Sequence, residues 1–485
     1  MITGEYMMKI RKHLLLMLVT VFVLYSFSCG KVDDDVETTN PDAESTVENK
    51  VDIDSLDRLK ALDFSGYGFN VLTYDNKSWD VYIDPVTETG DTLNDAAYKR
   101  NSETEELLNI TIKAQKEGLD NYETVFQNCV MSGDGESVDL MVFWSPWQRT
   151  RYVTEKLVYD WNNLPYVDLE ADYYNKSANN TYTILGRQYF AVSDFTYTVQ
   201  QHWRILFNKT IASDFGIDSP YDAVFDGNWT IDRMLGDIKG VSADLNSDGK
   251  QDLDDRYGMI ANSYTVSGFI FGFGDSPVRL NGDQFEFSLN NERFNDEVRK
   301  LVEFFDNPDI CIYDRDISKQ YTNFYNGKSL YMPYSSDPAA LRDIEVDYGY
   351  LPYPKFDENQ ENYVVWAAGG MMAVPATAVD TERTGAVIEA LSAISGKYLK
   401  DAFIEKYIEG KILRDDESVN VYRMMRENMT YEISYNLDPS EKLTSLEYYR
   451  YFITKKSTDT ASYWAKNSEK IINSYSDFLA SVGQD

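Results

Sequence analysis

The chain has 485 residues, with 80 Asp or Glu against 46 Lys or Arg, a formal net charge of −34. A field of that sign repels nucleic acid and anionic headgroups, which excludes nucleic-acid binding, but it also serves solubility and so implies no cationic ligand. Two histidines, His13 and His202, and three cysteines leave imidazole catalysis to His202 alone and exclude a disulfide scaffold or a Cys-based zinc site.

In chain order, Lys9, Arg11 and Lys12 precede an apolar run from Leu14 to about Tyr25. That run is shorter than the roughly 20 apolar residues needed to span a bilayer. Basic, apolar, then small is the order of a secretory signal peptide, assigned here to residues 1–28. Glu5 is out of place in a basic start, so translation from Met7 or Met8 is an alternative. Ser26-Phe27-Ser28-Cys29-Gly30 resembles a bacterial lipobox, with Ser26 where that pattern prefers Leu. The resemblance implies that Cys29 is lipidated, becomes the first mature residue and anchors the chain on the outer face of the cell membrane. An ordinary signal peptide with a chance cysteine is the alternative. Residues 29–55 are acidic and nearly free of large apolar side chains, so they read as a disordered stalk. Cys129 and Cys311 are left either to pair or to remain thiols.

Beyond about residue 60 the composition is globular and aromatic, with 37 Tyr in the chain. Apolar runs predict strands at 69–74, 139–143, 188–192, 204–207, 328–332 and 348–352. Helical spacing predicts helices at 94–108, 294–305 and 382–395. Strands alternating with helices predict an α/β protein with largely parallel sheets, too long for one core and therefore of at least two lobes. Arg100 is expected to pair with Glu103 or Glu105 on its own helix.

Between these elements, 244–255 places side-chain oxygens at loop positions 1, 3, 5, 9 and 12, with Gly249 at position 6. Calcium takes six to eight hard oxygen ligands, and a glycine there permits the tight turn. Asp244, Asn246, Asp248, Asp252 and Asp255, with the carbonyl of Lys250, are the expected ligands of a structural calcium. Asp255 stands where Glu is usual, as in loops of the dockerin type. An acidic surface turn without metal is the alternative.

Several segments, in order, resemble the family 1 extracellular solute-binding proteins, the receptors of sugar-type ABC importers. They are Leu93 to Asn101 followed by Glu103, Glu105 and Asn109; Val138–Phe143 ending at Trp144; Tyr189 to Gly216 with Phe207-Asn208-Lys209; Asn228-Trp229-Thr230; Gly327 to Met332; Tyr348 to Pro354; and Gly369 to Pro375. The resemblance implies a two-lobed periplasmic-binding-protein-like fold with a ligand cleft between lobes joined by crossover strands. One lobe would take 56–165 plus 368–400, the other 166–367 plus 401–485. It implies a monomer that binds a carbohydrate, delivers it to ABC permease subunits and does no chemistry.

A sugar receptor needs flat aromatic rings for C–H faces and polar groups for hydroxyls. Trp144 and Trp147, on the loop after a strand, are ligand candidates, with local packing as the alternative. So are Asp194, otherwise a turn residue, and Trp203, otherwise core. Tyr334 and Ser336 follow a strand where the family presents an aromatic ring to its ligand, and Trp366 precedes a cleft-lining loop. Trp229, at a helix start, reads as structural. Two further functions stay open: a glycan-capture or sensor lipoprotein without transport, and a carboxylate-dependent glycoside hydrolase.

Overall fold

The computed structural model describes residues 56–483 apart from 77–80, 144–148, 251, 263–264, 314–316, 336–337, 442 and 445. The proposed signal peptide, Cys29 and stalk therefore lie outside the described residues. The sheet-forming strands used below are β1 (Tyr67–Tyr74), β2 (Ile110–Glu117), β3 (Leu140–Phe143), β4 (Gln201–His202), β5 (Arg204–Asn208) and β6 (Tyr257–Asn262). They continue with β7 (Ile310–Tyr313), β8 (Ser329–Tyr334), β9 (Tyr348–Leu351), β10 (Val365–Ala368), β11 (Met371–Ala373) and β12 (Met429–Tyr431).

The first lobe is built on a sheet of order β11-β3-β1-β2, in which β1 is parallel to β2 and β3 while β11 is an antiparallel edge. β3 is buried and apolar on both faces, as central parallel strands are, while the edge strand β2 buries Ile110 and Ile112 and leaves Thr111 and Lys113 exposed. Phe69, Val71, Leu140 and Val142 face one core; Leu72, Met141 and Phe143 face the other. Helix α1 (Thr92–Leu108) starts where the Asp91 side chain accepts the N–H groups of Leu93 and Asn94, and it stops at Asn109 in the left-handed region. Arg100 does not stay on the helix surface. Its guanidinium is buried, with Nη2 donating to Tyr82 O at 2.6 Å, while Glu103 pairs with Lys397 and Glu105 accepts from Ile112 N–H. The segment 157–199 also packs on this lobe. It contributes Trp161, Tyr173, Tyr174 and Phe195 to its core and carries the short helix α3 (Lys176–Tyr182); the short helix α2 (Arg149–Thr154) precedes it. Helix α4 (Thr381–Ser395) closes the sheet, with Glu389 accepting from the Tyr173 and Tyr174 hydroxyls.

The second lobe holds the sheet β7-β6-β8-β5-β9. Here β7, β6 and β8 are parallel, and β5 runs against both β8 and β9. The sheet is thus mixed rather than largely parallel, because β5 is the strand that arrives from the other lobe. The apolar run at 188–192 likewise forms no long strand. Arg187–Gln188 closes a small hairpin and Ala191 makes a lone antiparallel bridge to Met372. Helix α5 (Thr460–Val482) ends the described chain and packs on α2.

Among the described residues, three connections join the lobes. β4 leads into β5, and β10 leads back into β11; these two crossings pair antiparallel at Ala367–His202. The third is the continuation of α4, which widens into π-type turns over Gly396–Lys400 and Ala402–Ile412. Narrow, paired crossings of this kind are what hinge closure requires. No helix among the described residues is long and apolar enough to cross a membrane.

Candidate functional site

The crossings meet in a knot of aromatic rings. Trp203, between β4 and β5, donates its backbone N–H to Trp366 O at 2.9 Å. Its indole stacks on that of Trp366 with centroids 4.2 Å apart. Phe271 and Tyr435 each lie 4.5 Å from the Trp366 ring. Trp203 is 7% exposed and Trp366 1%, so in this conformation two of the ring candidates read from the sequence are hinge core.

Tyr334 ends β8 opposite Arg204, whose guanidinium lies 4.7 Å from the Tyr334 ring and 5.3 Å from that of Tyr350. Tyr334 is fully buried rather than presented to solvent, and burial pushes its phenol pKa up. His202 Nε2 lies 2.5 Å from the Tyr350 hydroxyl. Burial, with Arg204 and Arg426 nearby, holds its imidazole well below its usual pKa and therefore neutral. Asp194 lies apart from the rings. It pairs with Lys400 at 3.0 Å, and burial, opposed by that lysine, raises its carboxyl to about 6. It fastens the first crossing to the π-type turns. Trp229 is structural as expected, its Nε1 donating to Pro352 O at 3.0 Å. Trp144, Trp147 and Ser336 lie outside the described residues.

The structure also brings together residues that sequence reasoning missed. Arg149, two positions after Trp147, is fully buried. Its Nη1 donates to Asn436 O at 3.3 Å and to Asn436 Oδ1, reaching from the first lobe to the segment after β12. The guanidinium lies 5.9 Å from the Phe143 ring and 6.0 Å from that of Tyr182, which meets Tyr431 edge-on at 6.1 Å. The hydroxyls of Tyr182, Tyr431 and Ser434 and the indole nitrogen of Trp366 are buried without a hydrogen-bond partner. Such orphans are rare in folded proteins, each costing about 1–3 kcal/mol. Two of them, on Tyr182 and Tyr431, belong to rings that meet where α3 packs on β12. Beside Arg149, a recess of about 730 Å³ lies between Thr150 and Thr154 of α2, Asp438, and Asp477 and Phe478 of α5. That volume is in the range of small-molecule sites. Arg149 adjoins a loop the sequence had singled out; the segment 429–436 carried no local signal.

The 244–255 loop is tied to its own backbone. Asp244 accepts the N–H groups of Ser247 at 2.6 Å and Gly249 at 2.9 Å, and Asp255 accepts those of Leu245 at 3.0 Å and Asp252 at 3.1 Å. Gly249 takes φ 74°, as a tight turn needs. The donor types suit a hard cation, since each carboxylate oxygen keeps a second lone pair. Yet no three Asp, Glu, His or Cys groups converge into a metal cluster among the described residues. Cys129 is buried and Cys311 half-buried, and the two do not pair with each other.

No protein-family model matches the chain, and no curated protein sequence matches it. Solved structures do. An ABC substrate-binding protein from Listeria monocytogenes in complex with cycloalternan is 12% identical, with a TM-score of 0.54 over 84% of this chain and 98% of that one. The GacH receptor of Streptomyces glaucescens, solved unliganded and with acarbose, is 12% identical, with a TM-score of 0.57 over 84% and 99%. A family 1 extracellular solute-binding protein from Bifidobacterium longum subsp. infantis is 12% identical, with a TM-score of 0.56 over 85% and 99%. The chain thus has the two-lobed fold of the periplasmic-binding-protein type, spanning nearly the full length of each of these structures.

Proposed function

We propose that this chain is an extracellular receptor that captures a carbohydrate, of oligosaccharide size, between its lobes and hands it to an ABC importer. The observation that carries this reading is the fold, shared along nearly the whole length of neighbours described with cycloalternan and with acarbose. The aromatic rings gathered where the crossings meet support it, because flat rings match the C–H faces of a sugar. A role without chemistry is supported by His202, which is neutral and engaged by Tyr350. We further propose attachment to the outer face of the membrane through lipidated Cys29, and a structural calcium in the 244–255 loop.

Calorimetric titration with mono- to oligosaccharides tests the capture. Saturable binding that returns the sugar intact is expected; shortened products would refute the receptor reading. Mass spectrometry of the mature N-terminus reads the anchor. An acylated Cys29 is expected, and an unmodified N-terminus elsewhere would exclude it.

A further inference from the structure

We propose that the hairpin formed by the helix Leu446–Lys455 and α5 carries a second carbohydrate site, in which one sugar ring of a glycan chain lies on Tyr451. This goes beyond the receptor reading, because the place is different and the site stands whether or not a sugar is captured between the lobes.

The hairpin is set by its turn. Lys456 takes φ 48°, and the carbonyls of Ile453 and Phe452 accept the N–H groups of Lys456 and Ser457. α5 then starts at Asp459, whose side chain accepts the Ser462 N–H at 2.9 Å. Glu447, Arg450, Tyr451 and Thr454 follow at spacings of three and four from one another, so they share one helix face. Against it α5 presents Tyr463 and, a turn later, Lys466 and Asn467. Between the two faces lies a recess of about 440 Å³, within the range of small-molecule sites.

Tyr451 is 42% exposed, yet its ring is held by neighbours. It lies 5.2 Å from the Tyr463 ring and, edge-on, 5.2 Å from that of Phe452. Tyr463 is held in turn by Tyr448 at 4.9 Å and by the bond its hydroxyl donates to Leu443 O at 3.2 Å. A flat face already positioned loses little freedom when the C–H face of a sugar stacks on it. The rim supplies what the hydroxyls need. Glu447 and Arg450 pair at 3.2 Å, so they offer an acceptor and a donor with no net charge between them. Lys466 adds donors and the Asn467 amide an acceptor. Donors and acceptors mixed around one exposed ring suit a polyol better than an anion or a purely apolar molecule.

The site faces away from the hinge. Tyr449, two residues before Tyr451 and so about 200° around the helix, is buried 6.0 Å from Phe271, the ring that packs on Trp366. Tyr451, Thr454 and Lys466 are exposed, which leaves the recess open to a unit within a long chain.

Native gels containing soluble starch, xylan, mixed-linkage β-glucan or galactomannan, run with the full chain, test the site. At least one polysaccharide is expected to retard the parent. Tyr451→Leu keeps apolar volume and helix propensity but lacks the flat face, and it is expected to weaken that interaction about ten-fold. Tyr451→Trp keeps the face and should be retarded as the parent is. Lys466→Ala, at an exposed position, should weaken it about three-fold and carries the test if Tyr451→Leu does not fold. Retardation of Tyr451→Leu equal to the parent's, or no retardation in any of the gels, would overturn the inference. Calorimetric titration with oligosaccharides keeps the two readings apart. Capture between the lobes is expected to be the same in Tyr451→Leu as in the parent. Its absence from both would refute the receptor reading, and retardation that depends on Tyr451 would still uphold this second site.

Discussion

Glu297 offers a stability test that involves no ligand. It lies on the helix Glu292–Phe305 of the second lobe, its side chain wholly out of solvent. Arg293 Nε donates to Oε1 at 2.7 Å, and Oε2 is buried without a partner. Burial, opposed by Arg293 and reinforced by Asp275, pushes the carboxyl up from 4.5 to about 8. Glu432 shares this neighbourhood. Burial raises it to about 7 against the hydrogen bond that the Ser276 hydroxyl donates to it at 2.7 Å. For a raised carboxyl the folded chain keeps a proton that the unfolded chain has released. The stabilisation is therefore complete below 4.5 and lost as pH rises towards about 8. At 1.36 kcal/mol per pH unit, the loss from Glu297 between pH 4.5 and 7 is on the order of 3 kcal/mol. Glu297→Gln keeps the volume and an acceptor for Arg293 but cannot titrate. Melting temperatures from about pH 5 to about pH 8.5 should fall for both chains, because self-repulsion also grows. The parent should fall more steeply, so that the variant is relatively more stable at the alkaline end. Parallel curves would show that Glu297 is not buried as described.

Two other expectations concern packing and the acidic loop. A Cβ at Gly385 would stand 2.0 Å from the Pro165 carbonyl oxygen. Gly385→Ala should therefore destabilise the chain by about 1–3 kcal/mol, although alanine favours a helix by roughly 1 kcal/mol. A denaturation midpoint equal to the parent's or higher would contradict the close approach of α4 to residue 165. For the 244–255 loop, calcium in excess should raise the melting temperature above that in chelator, because binding only the folded state stabilises it. Identical melts would leave the loop as an acidic turn.

Much of the architecture was readable in the sequence, since it depends on local pattern. Leu140–Phe143 is apolar without interruption, and Phe69, Val71 and Leu72 are buried beside it, because both faces of a parallel sheet are covered; α1 starts and stops at residues suited to capping. The resemblance quoted from seven short segments led to the two-lobed fold that solved structures share. Tertiary structure alone decided which partner each face met. An aromatic ring at a strand end looks the same in sequence whether it faces a ligand or a hinge, and the stacking of Trp203 on Trp366 buries both. Helical spacing pairs Arg100 with Glu103 or Glu105, but its guanidinium donates to the Tyr82 carbonyl while Glu103 meets Lys397 and Glu105 the Ile112 N–H. β5 runs antiparallel because the chain enters that sheet from the other lobe, a constraint no local window contains. Arg149 and Asn436 stand 287 residues apart, and what draws them together is the tertiary fold rather than any pattern near either one.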